Sequence, residues 1–195
     1  CEGPDGVGKT SLSEAIAAKL ESLGLAARYL SFRGREPGTL GGLIYEIHHH
    51  AEEHFGIMSV NPTSRQLLHV AAQIDEIEGF IRPAVNSGQM VVLDRFWWSV
   101  WVYGLADGAD EESLKAMLDI ENLRWGSLPE PLIFLVDREL PFREEPWDHK
   151  FEVVRRLYRD LADRESPDGS VVVLPNEGTM EQALDRALSE MRNRG

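Results

Sequence analysis

The sequence predicts a three-layer α/β fold, in which a five-stranded parallel sheet carries helices on both faces. Short apolar runs alternate along the chain with longer segments whose apolar residues recur every three or four positions. Strands that alternate with helices are joined by right-handed crossovers, which make the sheet parallel. The runs MVVL at 90–93 and LIFLV at 132–136 are apolar throughout, as is typical of strands buried on both faces.

The elements follow from these patterns in chain order. A first helix begins after the glycine-rich start and ends at Gly24, and its apolar face comprises Leu12, Ile16, Leu20 and Leu23. The predicted strands are 28–32, 90–93, 132–136 and 170–174. The other predicted helices are 39–54, 63–87, 97–105, 111–126, 148–163 and 180–192. The second helix has its apolar stripe at Leu40, Leu43, Ile44 and Ile47, and Gly88 ends the long third helix.

Composition excludes several classes of protein. A chain of 195 residues is expected to form one domain, 1–195. The formal net charge of −13 argues against a nucleic-acid-binding protein, which needs a basic face. The single cysteine excludes an internal disulfide framework and suits the reducing cytoplasm. No apolar run approaches the length of a membrane span, so no membrane partner is expected.

Residues 3–10 read G-P-D-G-V-G-K-T and match G-x-x-x-x-G-K-[S/T], the pattern of a loop that binds nucleoside triphosphates. Glycines allow backbone N–H groups to turn toward an anion, and the following helix N-terminus adds its dipole. Lys9 can reach the β- and γ-phosphates, and the Thr10 hydroxyl can bind Mg²⁺. We therefore expect ATP and Mg²⁺ here, with these binding residues: Gly3, Gly6, Val7, Gly8, Lys9, Thr10 and Ser11.

Only Cys1 and Glu2 come before this loop, although such a loop normally follows a buried strand. We therefore expect the first strand of the sheet to lie before residue 1.

Charged residues follow two of the predicted strands, at the edge of the sheet where ligands bind. Asp94 ends the strand at 90–93, where its carboxylate can hold Mg²⁺ waters or accept a hydrogen bond from Lys9. Arg95 can clamp a phosphate with two parallel hydrogen bonds. Arg35 lies in a turn rich in glycine and proline after the strand at 28–32. A second phosphate-binding cluster formed by Arg35 and Arg95 favours a phosphorylated acceptor.

Four segments together resemble the thymidylate kinase family of nucleoside monophosphate kinases. They are E-G-P-D-G-V-G-K-T at 2–10, R-E-P-G-T at 35–39, D-R-F at 94–96 followed by Ser99 and Tyr103, and R-x-E at 143–145 leading into Phe151 and Tyr158. Their order and spacing match over nearly the whole chain. The resemblance implies a P-loop kinase fold, ATP-dependent phosphorylation of a nucleoside monophosphate with thymidylate first, and a homodimer.

The resemblance also implies roles for individual residues. The turn from Phe32 to Arg35, together with Arg95, is expected to hold the acceptor phosphate, and Asp5 to support the metal or the acceptor sugar. Ser99 and Tyr103 match the helix beside the acceptor base.

Positive charge around the transferred phosphoryl group is a further requirement of the reaction. Lys9 and Arg95 supply part of it. One branch of the family has an arginine inside the loop, where this chain has Gly6, so a lid arginine must supply the rest. Arg143 has the best spacing, with Arg138 and Arg155 as alternatives. The lid, around 138–147, is about ten residues shorter than the family's usual lid, either because it is reduced or because residues are absent from the sequence.

Gln73 stands where the family has a base-reading arginine. An amide both donates and accepts hydrogen bonds, whereas arginine only donates. Gln73 could read an adenine or cytosine edge, or thymine in another pose, or it could merely face the cleft. The alternatives to a monophosphate kinase are a nucleoside or other small-molecule kinase on the same scaffold, and a nucleotide-binding regulator with little turnover.

Two clusters favour structural interpretations. Trp97, Trp98 and Trp101 are expected to pack against the sheet. The histidines at 48–50 and His54 are expected to form a solvated helix face.

Overall fold

The computed structural model describes residues 1–32, 38–142, 150–166 and 169–194. Its strands form two parallel pairs. β1 (Ala27–Ser31) lies beside β2 (Met90–Asp94), with Ala27 opposite Met90. β3 (Ile133–Asp137) lies beside β4 (Val171–Pro175), with Ile133 opposite Val171.

The first two residues lie between these pairs. The Cys1 amino group donates to the Leu93 carbonyl at 2.6 Å, and the Cys1 carbonyl accepts from the Arg95 N–H at 2.8 Å. Glu2 forms a parallel bridge to β3, with both of its backbone hydrogen bonds at 2.8 Å. The prediction of parallel strands is confirmed. Instead of one five-stranded sheet, the described residues form two two-stranded sheets that both contact this short segment.

Eight α-helices in the described part of the chain alternate with these strands. They are α1 (Lys9–Ser22), α2 (Leu40–Phe55), α3 (Pro62–Glu76), α4 (Arg82–Asn86), α5 (Trp97–Ala106), α6 (Glu111–Trp125), α7 (Phe151–Glu165) and α8 (Met180–Arg194). Side-chain caps begin four of them: Thr39 caps α2, Asn61 caps α3, Asp110 caps α6 and Thr179 caps α8. None of these described helices is long and apolar enough to cross a membrane.

The long helix predicted at 63–87 spans Pro62 to Asn86, but it is not α-helical throughout. A π-helical turn at Ile77–Ile81 separates α3 from α4. Pro83 follows it, and a proline removes one backbone donor and clashes with the carbonyl four residues earlier. That carbonyl belongs to Gly79, inside the π turn, so the wider turn relieves the conflict. Periodicity alone could not distinguish this arrangement from a straight helix.

Two predicted apolar faces are also only partly buried. Leu23 lies beyond the end of α1 and is 62% exposed. Of the stripe predicted on α2, Ile44 is buried, whereas Leu40 and Leu43 are exposed. Trp98 and Trp101 are buried in the largest hydrophobic cluster of the described residues, which also includes Leu135 of β3 and Val171 of β4, and Trp97 packs against it. Direct packing of these rings on the sheet stays a prediction.

Candidate active site

The phosphate loop is built on glycines that no other residue could replace without strain. Gly3, Gly6 and Gly8 all have positive φ, at 142°, 78° and 90°. A Cβ on Gly3 would lie 2.3 Å from the Val136 carbonyl oxygen, and one on Gly8 would lie 2.7 Å from Asn176 Nδ2. The backbone therefore follows the curved path that the motif predicts, closely packed against β3 and the residue after β4.

Neighbouring segments hold this loop in place. The Val7 side chain is fully buried in the core, and its carbonyl accepts from Asn176 Nδ2 at 2.7 Å. The Phe142 N–H donates to the Gly6 carbonyl at 2.9 Å. Val7 can therefore contact a nucleotide only through its backbone. Asn176 and Phe142 are loop supports that sequence reasoning missed, since each lies far along the chain from the motif.

Lys9, Thr10 and Asp94 meet at the start of α1. Lys9 is buried, and its ammonium donates to the Pro4 carbonyl inside the loop. Thr10 Oγ1 donates to Asp94 Oδ2 at 2.6 Å, and Asp94 Oδ1 is a buried oxygen with no hydrogen-bond partner among the described residues. Tyr29 lies 3.4 Å from the same carboxylate, and burial, followed by the Asp94 charge, raises the pKa of Tyr29 to about 12. Ser11 is exposed in the same helical turn.

Arg95 is the centre of the adjoining network. Its φ of 70° is the only positive value of a non-glycine residue in the described ranges, and its side chain is 8% exposed. It donates to Asp5 Oδ1 at 2.5 Å and to the Tyr103 hydroxyl at 3.3 Å. Burial works against its charge, but the electrostatic effects of Tyr103 and Asp5 outweigh burial and raise the pKa of Arg95. Arg95 therefore pairs with Asp5 and remains charged.

Glu2 joins this network through the hydrogen bonds that its carboxylate accepts. Its carboxylate accepts from the Phe96 N–H at 2.6 Å, from Ser99 Oγ at 2.7 Å and from the Tyr158 hydroxyl at 3.2 Å. Burial raises the pKa of Glu2, although its hydrogen bonds and Arg95 oppose the shift. The sequence showed Glu2 and Tyr158 only as parts of motifs. Their contact spans 156 positions, which local patterns do not report.

A cavity of about 700 Å³ opens beside the loop, between α2, α3, α5 and α7. Seven of the predicted site residues line it: Asp5, Gly6, Phe32, Gln73, Arg95, Ser99 and Tyr103. Gln66 and the histidines His48, His49 and His69 also line it, although sequence reasoning did not place them there. These predicted site residues therefore lie around one cavity, and their contact with a substrate stays a prediction.

Gln73 is the least satisfied polar group of the cavity. It is 3% exposed, and its Oε1 has no hydrogen-bond partner among the described residues. Gln66, seven positions earlier on α3, is 2% exposed. A buried amide oxygen without a partner is costly unless a ligand supplies a donor.

The lid arginines divide into two groups. Arg35 and Arg143 lie outside the described residues, as does the second half of the lid, 143–147. Arg138 donates to the Asn176 carbonyl and stacks 3.8 Å from the Phe142 ring.

Arg155, the other alternative, donates to both carboxylate oxygens of Asp137, at 2.8 and 3.1 Å. Burial alone would raise the pKa of Asp137, but hydrogen bonds from Arg155 and Arg159 hold it below its usual range. Arg155 is thus already paired at the end of β3, whereas Arg138 lies beside the phosphate loop.

Comparison with known proteins matches residues 1–143 to the family described as "Thymidylate kinase". The chain is 30% identical to a thymidylate kinase of Syntrophotalea carbinolica, over 95% of this chain and 90% of that protein. It is 32% identical to one of Chlamydia trachomatis serovar L2, over 94% of each.

Identity is 34% with a thymidylate kinase of Rhizorhabdus wittichii, where the match covers 69% of this chain and 61% of that protein. Among solved structures, a thymidylate kinase from Ehrlichia chaffeensis superposes with a TM-score of 0.73 at 20% identity, over 97% of this chain and 95% of that one. At this level of identity, the structural likeness concerns the fold.

Proposed function

Because this chain belongs to the thymidylate kinase family, we propose that it transfers the γ-phosphoryl group of ATP to a nucleoside monophosphate, with thymidylate as the first candidate. One observation carries the proposal: the Arg95–Asp5 pair joins the phosphate loop to the cavity of about 700 Å³. A phosphate held by Arg95 would therefore lie next to a triphosphate held by the loop.

ATP binds in this proposal through the backbone of the loop. Gly3, Gly6 and Gly8 let N–H groups converge on an anion, and α1 points its N-terminus at the same place. The Lys9 ammonium turns from the Pro4 carbonyl to the β- and γ-phosphates. Ser11, in the first turn of α1, completes the set of predicted ATP-binding residues.

Thr10 and Asp94 are the residues that would hold Mg²⁺. The Thr10 hydroxyl is an oxygen ligand of the kind that Mg²⁺ prefers. Asp94 Oδ1 is a buried acceptor without a partner among the described residues, so a metal-bound water would satisfy it. When bound, Mg²⁺ would neutralise charge on the β- and γ-phosphates.

The acceptor lies in the cavity with its phosphate at Arg95. In the transfer, an oxygen of the acceptor phosphate forms a bond to the γ-phosphorus, and the bond from this phosphorus to the bridging β-γ oxygen breaks. ADP and a nucleoside diphosphate result. Lys9 and Arg95 stabilise the charge on the transferred group, and Asp5 positions Arg95 or contacts the acceptor sugar.

Three further residues take part in this proposal. Arg143 is the lid arginine. Arg35 and Phe32 are further contacts of the acceptor phosphate.

The base is assigned to the side of the cavity formed by Gln73, Ser99 and Tyr103. Ser99 and Tyr103 are engaged by Glu2 and Asp5, so their hydroxyls are held in fixed positions. Gln73 Oε1 is left to accept a hydrogen bond from the base.

Two further proposals concern the sheet and the oligomeric state. We propose that the two strand pairs and the segment at Cys1 and Glu2 form one five-stranded sheet in a single domain. We further propose that the protein is a cytoplasmic homodimer, which the resemblance to the family supports.

The test is ADP release with ATP and Mg²⁺ against each nucleoside and deoxynucleoside monophosphate. We expect the highest kcat/KM with a pyrimidine monophosphate and no ADP release above background without an acceptor. Turnover of nucleosides instead of monophosphates would assign the scaffold to a nucleoside kinase. Tight ATP binding without turnover of any acceptor would assign it to a nucleotide-binding regulator.

A further inference from the structure

A second cluster of ligand-type side chains lies on the C-terminal half of α2 and takes no part in the proposed transfer. We propose that His50, Glu53 and His54 form a binding site for a transition-metal cation of the Zn²⁺ class. The sequence predicted a solvated helix face, and Glu53 and His54 are indeed exposed. The structure also shows that the ligand atoms of these three residues lie close to one another, which solvent exposure alone does not require.

The ligand atoms of the three residues converge. His50 Nδ1 lies 3.5 Å from Glu53 Oε2, and His54 Nε2 lies 3.9 Å from Glu53 Oε1. Both separations exceed the usual hydrogen-bond range. Two ligand atoms that each lie about 2.1 Å from a tetrahedral ion are about 3.4 Å apart. The ligand atoms of all three residues lie within 4.8 Å of one another, which small rotations of exposed side chains can close.

A fourth residue, Glu46, contacts the other ring nitrogen of His54. His54 Nδ1 lies 2.8 Å from Glu46 Oε2. With the proton of the ring on Nδ1, the Nε2 lone pair faces Glu53 and is available to a metal. A carboxylate behind a histidine ligand fixes the ring and raises its basicity, as in many metal sites.

The helix itself brings the two histidines together. His50 and His54 are one turn apart, and His50 has non-helical backbone angles of φ −132° and ψ 28°. The two rings stack with their centroids 4.9 Å apart and an angle of 18° between their planes. The helix kinks at His50. Position 50 holds neither of the residues, proline and glycine, that commonly cause such a kink.

The donor set selects the class of ion. Two imidazoles and one carboxylate suit Zn²⁺ and related transition metals, whereas Mg²⁺ prefers oxygen ligands. The site is therefore chemically distinct from the Thr10–Asp94 pair. Because the side chains are exposed, water can occupy the remaining coordination position.

The experiment uses tag-free, metal-depleted protein, titrated with Zn²⁺ by calorimetry and with Co²⁺ by visible absorption. We expect one ion per chain with a dissociation constant of about 10 µM or tighter, and intense Co²⁺ bands typical of a tetrahedral site. H50A and H54A are each expected to weaken binding at least about 10-fold, and E46Q about 10-fold. Excess Mg²⁺ should not displace the ion.

The matched control is H69A, which removes the partner of His48: the ring nitrogens of these two histidines lie 2.9 Å apart. H69A should leave the affinity unchanged. The proposal is overturned if Zn²⁺ binds more weakly than about 1 mM, if H54A binds as tightly as the original protein, or if H69A alone abolishes binding. Circular dichroism establishes that the variants are folded. Because binding is the readout, the result does not depend on kinase activity.

Discussion

The phosphate loop and the proposed acceptor cavity are built in opposite ways. The loop uses its backbone: Gly3 and Gly8 lie so close to other segments that a Cβ has no room. The cavity is lined by side chains: Gln66 and Gln73 project into it from α3, and Tyr103 from α5. A backbone site recognises what all nucleoside triphosphates share, whereas a side-chain site can change its ligand through single substitutions. We therefore expect the ATP site to be general to the family and the acceptor site to be particular to this chain.

The largest effect is expected from K9A, because it removes the charge next to the transferred phosphoryl group. Turnover should fall at least about 100-fold, with the melting temperature little changed. The measurement is kcat by coupled ADP release, and K19A on the same helix is the control. Near-normal turnover of K9A would remove Lys9 from the mechanism.

G8A tests whether the loop acts through its backbone. The residue has a φ of 90°, and a Cβ would lie 2.7 Å from Asn176 Nδ2 and 3.3 Å from the Phe142 ring. We expect the ATP affinity to fall about 10-fold or more because the loop must shift. G24A is the matched control: Gly24 has a similar φ of 81°, but its added Cβ meets nothing within 4 Å. G24A should lose roughly 1 kcal/mol of stability and keep its ATP affinity. Equal ATP affinities in the two variants would refute the close-approach argument.

R95A is expected to act mainly on the acceptor side. Removal of the guanidinium takes away the proposed phosphate clamp and the ion pair between Arg95 and Asp5. We expect kcat/KM for the acceptor to fall about 10- to 100-fold, with a smaller change in KM for ATP. D5N, which keeps the shape but weakens the pair, should have an intermediate effect. Unchanged acceptor KM and kcat in R95A would contradict the role of this arginine.

E121Q tests a buried carboxyl behind the cavity, on α6. Both carboxylate oxygens lack partners among the described residues, and burial, followed by the Glu2 charge, raises the pKa of Glu121 to about 8. Between about pH 4.5 and pH 8, the Glu121 carboxyl is protonated in the folded state and ionised in the unfolded state. The contribution of this carboxyl to the free energy of unfolding therefore falls as the pH rises through this range. E121Q should flatten this decline and gain at least about 1 kcal/mol over the original protein at pH 8.5. Parallel stability curves for the two proteins across this range would show that Glu121 does not titrate as described.

The contrast between a loop built from backbone and a cavity lined by side chains also explains which features could be predicted from the sequence. The loop was predictable residue by residue because its path depends on glycines at fixed spacing. The partners Asn176 and Phe142 were not, because they are brought to the loop by β4 and by the segment after β3. In the cavity, Gln73 was found only as a departure from a family pattern, and its unpartnered oxygen needed coordinates. The Glu2–Ser99–Tyr158 network joins three distant segments, and no local pattern encodes it.

The most direct test of the account is the effect of Gln73 on the choice of base. A site that hydrogen-bonds a base rejects analogues that lack the partner group, because its own polar atoms are then left unpaired. The measurement is kcat/KM for the monophosphates of the four bases, in the original protein, in Q73R and in Q89R. Gln89 also has a buried, unpartnered Oε1 among the described residues, but it lies outside the cavity lining, which makes Q89R the control. We predict that Q73R shifts the ranking toward thymidylate, by about 10-fold, and that Q89R does not. An identical ranking in all three proteins would contradict the claim that side chains of this cavity, and Gln73 above all, select the acceptor.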